Sequence, residues 1–225
     1  MNDFCVVISA FNEEKNLIKL LEELKKYVDK SKIIVIDDGS KDNTKTIAES
    51  SGVCVIFNER NMGKGKSLRK GFDEAIKRAF SWIITIDADL QHQSSEINKF
   101  LEKAKNGDSD LIIGNRMGNI KNMPYHRILS NKITSFLISL RIGQKVKDSQ
   151  CGFRMINRKV IEKISLFKNH FSLESELLLK AGLNKFKIDS VEIKTIYNDS
   201  KSNINPIRDI FGFIFVYISS FFWGK

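Results

Sequence analysis

The chain has 225 residues, with 37 Lys+Arg against 27 Asp+Glu and a formal net charge of +10. A hydrophobic content of 42% is enough for a packed core and excludes a disordered chain. The charge is unevenly placed. Residues 116–168 hold 12 basic and 2 acidic side chains and the remainder is neutral, so one segment carries the whole excess. It reads either as the site of a polyanionic partner (nucleic acid, membrane phosphate or a phosphorylated substrate) or as a Lys-rich composition falling unevenly, and charge alone favours neither.

In chain order, residues 4–9 form a short apolar run, and residues 13–27 place Leu17, Leu20, Leu21 and Leu24 at helical spacing. Residues 32–36 (KIIVI) read as a buried strand, 42–50 as a short helix capped by Asp42 or Asn43, and 53–57 as a strand. Residues 64–80 gather Leu68, Phe72, Ala75, Ile76 and Ala79 on one helical face. Strands follow at 82–86 and 110–113, flanking a helix over 94–105 with Ser94 as its N-cap. This β-α-β-α rhythm, with β-branched strands, predicts an α/β fold whose mostly parallel sheet is covered on both faces. Beyond it, helices are expected at 127–142 and 172–181, strands at 152–156 and 186–196, and a polar loop at 197–206.

The chain then runs into IFGFIFVYISSFFW, residues 210–223, without a charge. As a helix this segment is about 21 Å long, short of a hydrocarbon core of ~30 Å. Its aromatic side chains fit a helix lying on a membrane surface, with a buried terminal helix as the alternative. No apolar stretch is long enough to span a bilayer, and the first strand follows Asp3 directly, which argues against a signal peptide. Cys5, Cys54 and Cys151 match no metal-ligand spacing and exclude a disulfide scaffold. The expectation is a cytoplasmic protein, peripheral on the cytoplasmic face of the membrane.

In a parallel sheet, ligands bind beyond the carboxyl ends of the strands. Acidic residues recur there: Glu13 after the first strand, Asp37 and Asp38 after the second, Asp87 and Asp89 after the fourth. Asp87-Ala88-Asp89 can share a hard divalent cation, with Gln91 adding a neutral oxygen and phosphate oxygens completing the shell. An Asp pair serving only turn chemistry and capping is the alternative, and the position at a strand end beside Glu13 and Asp38 favours the metal. Asp37-Asp38-Gly39-Ser40 reads either as a turn and helix start or, functionally, as putting Asp38 on a ribose hydroxyl or base edge. In Asn61-Met62-Gly63-Lys64-Gly65-Lys66 the glycines and a helix N-terminus favour an anion, although the spacing is neither a P-loop nor a dinucleotide fingerprint. A loop with solvated lysines is the other reading of that segment.

Together these motifs resemble the family-2 glycosyltransferases of GT-A fold, and within them the dolichol-phosphate mannose synthases and polyprenyl-phosphate sugar transferases. The resemblance runs through VVISAFNEE, IVIDDGSKDNT, NMGKGKSLRKG, IDADLQH, GNR and DSQCGFR to the loop after Tyr197. It implies a glycosyltransferase domain over residues 1–206, with a nucleotide and metal half (1–115) and an acceptor half (116–206), followed by the apolar helix (207–225). It implies that Ser9, Phe11, Glu13, Ile36, Asp38, Asp87, Ala88 and Lys201 bind the nucleotide-diphosphate sugar, GDP- or UDP-linked. Asp87, Asp89 and Gln91 would hold Mg²⁺ or Mn²⁺, Asp89 and Gln91 most directly. Asp89, Arg116, Arg127 and Asp148 would form the catalytic set, with Arg116 and Arg127 facing phosphate and Asp148 flanking the acceptor.

The implied reaction is inverting transfer to a polyprenyl or dolichyl phosphate. A hydroxyl acceptor would instead need a carboxylate base. Asp148 and Glu176 are the candidates, Glu176 reading more simply as a solvated helix face. A nucleotidyltransferase is a further alternative. Nucleic-acid binding fits the charge only, and no base-reading motif stands in the basic segment.

The pattern departs from the family at Ser9, where Pro is usual, and at Gln93 and Ser94, which replace prolines. The late loop keeps Ser200 and Lys201 but not the usual Arg and Gly.

Overall fold

The computed structural model describes residues 3–118, 120, 123–169, 172–196 and 206–223. Strands β1 (Phe4–Ala10), β2 (Ile33–Asp37) and β3 (Cys54–Phe57) alternate with helices α1 (Glu14–Leu24) and α2 (Thr44–Ser50). Helix α3 (Lys64–Lys77) leads to β4 (Trp82–Asp87), and α4 (Ile97–Asn106) to β5 (Leu111–Asn115). The second half comprises α5 (Tyr125–Ile142), β6 (Arg154–Asn157), α6 (Arg158–Lys163), α7 (Ser172–Leu183), β7 (Ile188–Glu192) and α8 (Pro206–Ser219).

Among the described residues these strands form one sheet in the order β3-β2-β1-β4-β6-β5-β7. Every pairing is parallel except those of β6, which runs antiparallel to β4 and β5. Strands β2 and β5 are buried at every position, and β1 and β4 at all but one. Both faces are therefore covered, which is why these segments read as continuous apolar runs rather than alternating ones. Because β2 and β4 lie on opposite sides of β1, a crevice opens at the carboxyl ends of β1 and β4. The register brings Ser9 level with Ile36 on one side and Asp87 on the other.

Two glycines set the helix packing. A Cβ at Gly71 would lie 2.3 Å from Val7 Cγ1 and 2.8 Å from Ile36 Cδ1, so α3 rests directly on β1 and β2. At Gly182 of α7 it would meet three Ile142 carbons of α5 at 2.6–2.8 Å. Helix α8 docks on α7 and buries Val216, with Ser220 just beyond it, yet leaves Ile210, Phe211, Ile214, Phe215 and Ile218 exposed. It is neither a buried terminal helix nor a free one. Among the described residues no helix is long and apolar enough to cross a membrane.

Local details differ from the sequence reading where side chains found other partners. Ser94 is not an N-cap: residues Ser94–Glu96 form a 3₁₀ turn, and the buried Ser94 Oγ makes no hydrogen bond among the described residues. Asp42 rather than Asn43 supplies the bond at the start of α2, its Oδ1 accepting from the Thr44 N–H at 3.0 Å. Pro206 opens α8 instead of ending a loop, its fixed φ being suited to a first helical position. The remainder of that loop, Tyr197 to Asn205, lies outside the described residues.

Replacing Gly71 by Val forces three carbons into the β1–α3 contact. The expected loss is about 1–3 kcal/mol of stability, read as a lower denaturant midpoint with unchanged slope.

Candidate active site

The loops after β1 and β2 are sewn together. Asn12, with φ +56°, takes a left-handed conformation that Asn tolerates. Its N–H donates to Ser40 Oγ (2.9 Å), and its Oδ1 accepts from the Lys41 N–H (2.8 Å). The Glu13 N–H donates to Thr44 Oγ1 at 2.8 Å. Ser9, Phe11 and Glu13 are half-buried along this edge, while Ile36 and Ala88 belong to the core. Burial, opposed by a hydrogen bond from Asn16, pushes the Glu13 carboxyl above its usual range.

Asp38 corrects the sequence reading. Only 2% exposed, it accepts from Asn58 Nδ2 (2.6 Å), the Met62 N–H (2.9 Å) and the Gly63 N–H (2.8 Å). The anion that the Gly63–Lys64 helix start favours is therefore the protein's own carboxylate, and Asp38 anchors that loop. Gly39 (φ +74°) permits this, because a Cβ there would fall 2.6–2.9 Å from the backbone of Arg60 and Asn61. Two motifs far apart in sequence thus form one structural unit.

Lys64 is not a solvated loop lysine. Its Nζ lies 2.6 Å from Asp87 Oδ1 and 2.7 Å from Glu174 Oε1 of α7, with 16% of the side chain exposed. Burial alone would favour loss of its proton, but the two carboxylates outweigh that and raise its pKa. Burial likewise works against ionised Asp87, and the Lys64 charge with its hydrogen bond holds that carboxyl below the usual range. Gly152 packs against the same group, since a Cβ there would sit 2.5 Å from Asp87 Oδ2. Asp89 accepts from the Gln91 N–H at 3.0 Å. It lacks an ion pair among the described residues, and burial plus the Asp87 charge push it up to about 6. Leu90, between Asp89 and Gln91, has φ +59°, an uncommon conformation for a bulky residue and typical of functional turns. His92 is buried against Phe153 and lowered to about 4 by burial and the Arg116 charge, so it stands neutral beside the cluster.

Across the crevice, Arg116 grips Asp148 in a fork, Nε to Oδ2 at 2.7 Å and Nη2 to Oδ1 at 2.8 Å. The Arg116 N–H (3.0 Å) and Asn131 Nδ2 (2.5 Å) donate to the same carboxylate. Asp148 is fully buried, and although burial disfavours its charge, these donors hold its pKa down. A carboxylate so occupied is no general base. It positions Arg116, whose charge in turn acts on Asp87. Glu176 is not solvated either: 1% exposed, it accepts from the Phe167 and Lys168 N–H groups and pairs with Lys180.

Arg154, 1% exposed, donates to the carbonyls of Cys151, Ser149 and Glu174, fixing the 149–154 segment to the start of α7. Arg127 is half-buried in the first turn of α5, and among the described residues it bonds to none of the acidic cluster. Lys201 lies outside the described residues. Lys64, Glu174 and Arg154 were missed by the sequence reading. Only the helix-start position of Lys64 carried a signal for any of them.

The donor set tests the implied metal. Among the described residues no group of three or more His, Cys, Asp or Glu could hold an ion. Two carboxylates and an amide, one carboxylate without an ion pair, nevertheless fit a hard cation that takes its remaining oxygens from phosphates and water. A doubly wound sheet with this arrangement at its switch point defines an α/β fold with a ligand crevice suited to phosphate-bearing molecules. The model for glycosyl transferase family 2 matches residues 5–165, and the chain belongs to that family and is a glycosyltransferase of GT-A-like fold.

It is 32% identical to a UDP-N-acetylglucosamine–dolichyl-phosphate N-acetylglucosaminyltransferase of Methanococcus voltae, over 86% of each chain. It is 33% identical to a dolichol-phosphate mannosyltransferase of Pyrococcus furiosus, over 80% of this chain and 53% of that one. Among solved structures, glucosyl-3-phosphoglycerate synthase from Mycobacterium tuberculosis with uridine diphosphate aligns at TM-score 0.73 and 19% identity, covering 100% of this chain and 82% of that one. Another complex of that enzyme contains Mn²⁺ and UDP-glucose.

Because the folded Asp89 carboxyl titrates at about 6 rather than 3.8, it binds a proton at pH values where an ordinary carboxylate is charged. In the metal-free chain its ionisation works against folding as pH rises above 3.8. Asp89→Asn is therefore expected to raise the melting temperature at pH 7.5 and leave it unchanged near pH 3. Equal shifts at both pH values would contradict the assignment.

Proposed function

We propose that this chain transfers a sugar, with inversion, from a nucleotide-diphosphate sugar to the phosphate of a polyprenyl lipid. The observation that carries the reading is the state of the acceptor-side carboxylates. Asp148 is closed by Arg116 and Asn131, and Glu176 by two backbone donors and Lys180. A hydroxyl acceptor must lose a proton to a base, whereas a lipid phosphate arrives as an anion. One of its oxygens bonds to the anomeric carbon as the bond to the donor diphosphate breaks, and the nucleoside diphosphate leaves with the electron pair. The Methanococcus and Pyrococcus relatives, a dolichyl-phosphate N-acetylglucosaminyltransferase and a dolichol-phosphate mannosyltransferase, support a dolichyl-phosphate acceptor.

Asp89 and Gln91 would hold Mg²⁺ or Mn²⁺, which neutralises charge on the leaving diphosphate. Arg116, held rigid by Asp148, supplies a fixed positive charge beside the same crevice, where a preorganised cation needs no reorientation as charge develops. Phe11 and Glu13 border the nucleotide side, Arg127 the acceptor phosphate, and Lys201 belongs to the late loop.

The surface supports a lipid acceptor. Tyr125, Leu129, Ile133, Phe136 and Leu140 lie exposed along one stripe of α5, and α8 exposes its own apolar stripe. Arg141 joins the two: Nη2 donates to the Ser220 carbonyl (2.5 Å), Nε to Ser220 Oγ (3.1 Å), and the guanidinium lies 4.4 Å from the Phe221 ring centroid. Lys168 covers Phe215 at 4.1 Å. Apolar stripes set among Arg127, Lys132, Arg141 and Lys168 suit an anionic bilayer, with cations at headgroup level and aromatics below. We place this surface on the cytoplasmic leaflet, whose anionic lipids attract basic segments.

Sugar nucleotides carrying GDP or UDP, assayed against polyprenyl phosphates with Mg²⁺ or Mn²⁺, should give labelled lipid-phosphate sugar. Product on polyprenols or free glycans, and none on lipid phosphates, would refute the acceptor. Asp89→Ala is expected to lower turnover by about 100-fold or more, the scale of losing a main charge-stabilising element, with unchanged circular dichroism. In vesicle flotation, Phe136→Asp with Phe215→Asp should release the protein from phosphatidylglycerol vesicles. Undiminished flotation would remove the bilayer from the reading.

A further inference from the structure

Two carboxylates follow β4, and the structure treats them differently. Asp87 is the partner of Lys64, whose Nζ it meets at 2.6 Å, and the Gly152 backbone closes on its other oxygen. Asp89, two residues on, accepts only a backbone N–H among the described residues. Lys64 cannot drift away from Asp87 cheaply, because it is anchored on its far side by Glu174 at 2.7 Å. Glu174 is in turn fixed at its carbonyl by the buried Arg154. Lys64 itself stands at the first residue of α3, where the Asp38 carboxylate holds the preceding Met62 and Gly63 N–H groups. Three separate elements thus hold one ammonium against one member of the acidic pair.

We infer that Lys64 is a positioning residue that withholds Asp87 from the divalent cation and so makes cation binding depend on the donor diphosphate. This rests on the proposed metal role of Asp89 and Gln91. With Asp87 committed to an ammonium, the protein offers the ion one carboxylate and one amide, too few oxygens for a strong site in a chain without nucleotide. A diphosphate supplies the missing oxygens and negative charge, so ion and donor bind together and the coupling is reciprocal. Without Lys64, half-buried Asp87 and buried Glu174 would lack their cation. Such groups capture another positive charge or become protonated, and a divalent cation is the available one.

The test is Mn²⁺ binding to the full chain, followed by electron paramagnetic resonance with and without UDP or GDP. The wild type should bind Mn²⁺ about tenfold or more tightly with nucleotide than without, within the usual range of coupling between sites. Lys64→Met should bind Mn²⁺ more tightly without nucleotide, and the nucleotide effect should shrink. Lys64→Arg, which keeps the charge between the two carboxylates, should restore the wild-type ratio. Loss of an ordinary structural residue would weaken Mn²⁺ binding or leave it unchanged, but would not tighten it.

Asp87→Asn is isosteric and serves if Lys64→Met fails to fold. It should keep nucleotide-dependent Mn²⁺ binding that Asp89→Asn abolishes. The inference is overturned if Lys64→Met matches the wild type with and without nucleotide, or if Asp87→Asn loses Mn²⁺ as completely as Asp89→Asn. Undiminished Mn²⁺ binding in Asp89→Asn would overturn the metal assignment itself, and the inference with it.

Discussion

The active-site end of this molecule depends on one buried ammonium between two carboxylates. Lys64 joins the start of α3, the end of β4 and the first turn of α7. Buried ion pairs of this kind are weak evidence for added stability, because desolvating the charges offsets much of the attraction. Their clearest effect is on geometry. A lysine that must satisfy Asp87 and Glu174 together fixes the distance between the end of β4 and the first turn of α7.

A second locking device follows the same logic with different chemistry. Asp38 fills the anion position at the approach to α3, and Gly39 lets the β2 turn come within contact of residues 60 and 61. Arg116 and Asp148 form a third, a fork closed further by Asn131. In each case an acidic residue that looks like a ligand or a base is spent on holding another residue in place. Asp89 remains without an ion pair among the described residues, and its raised pKa is the electrostatic signature of a site short of positive charge.

The net charge acquires a structural place. The basic segment begins where β5 ends and continues through α5, whose apolar stripe joins that of α8 through Arg141. Charge and exposed apolar surface thus coincide in the second half of the chain, while residues 1–115 are close to neutral. Part of the basic excess is internal: Arg154 is buried among carbonyls and Arg116 is paired with Asp148. Only the remainder can act on a polyanion.

The sequence by itself determined the α/β architecture, the strand ends that carry acidic residues, and the family. All three depend on local apolar periodicity and on short motifs whose order survives in the linear chain. It could not reveal that Asp38 and the Gly63 loop satisfy each other, that Asp148 is closed, or that Glu176 is buried, because the backbone donors that close them lie 8 to 32 residues away. Glu174 and Arg154 left no local signal, since an acidic residue on a helix and a basic residue beginning a strand are common on solvated surfaces. Tertiary structure alone decided which carboxylates are free to act. A charged group carries the same formula wherever it sits in the sequence, and only its burial and the donors packed around it fix whether it can take up a metal ion, a proton or neither.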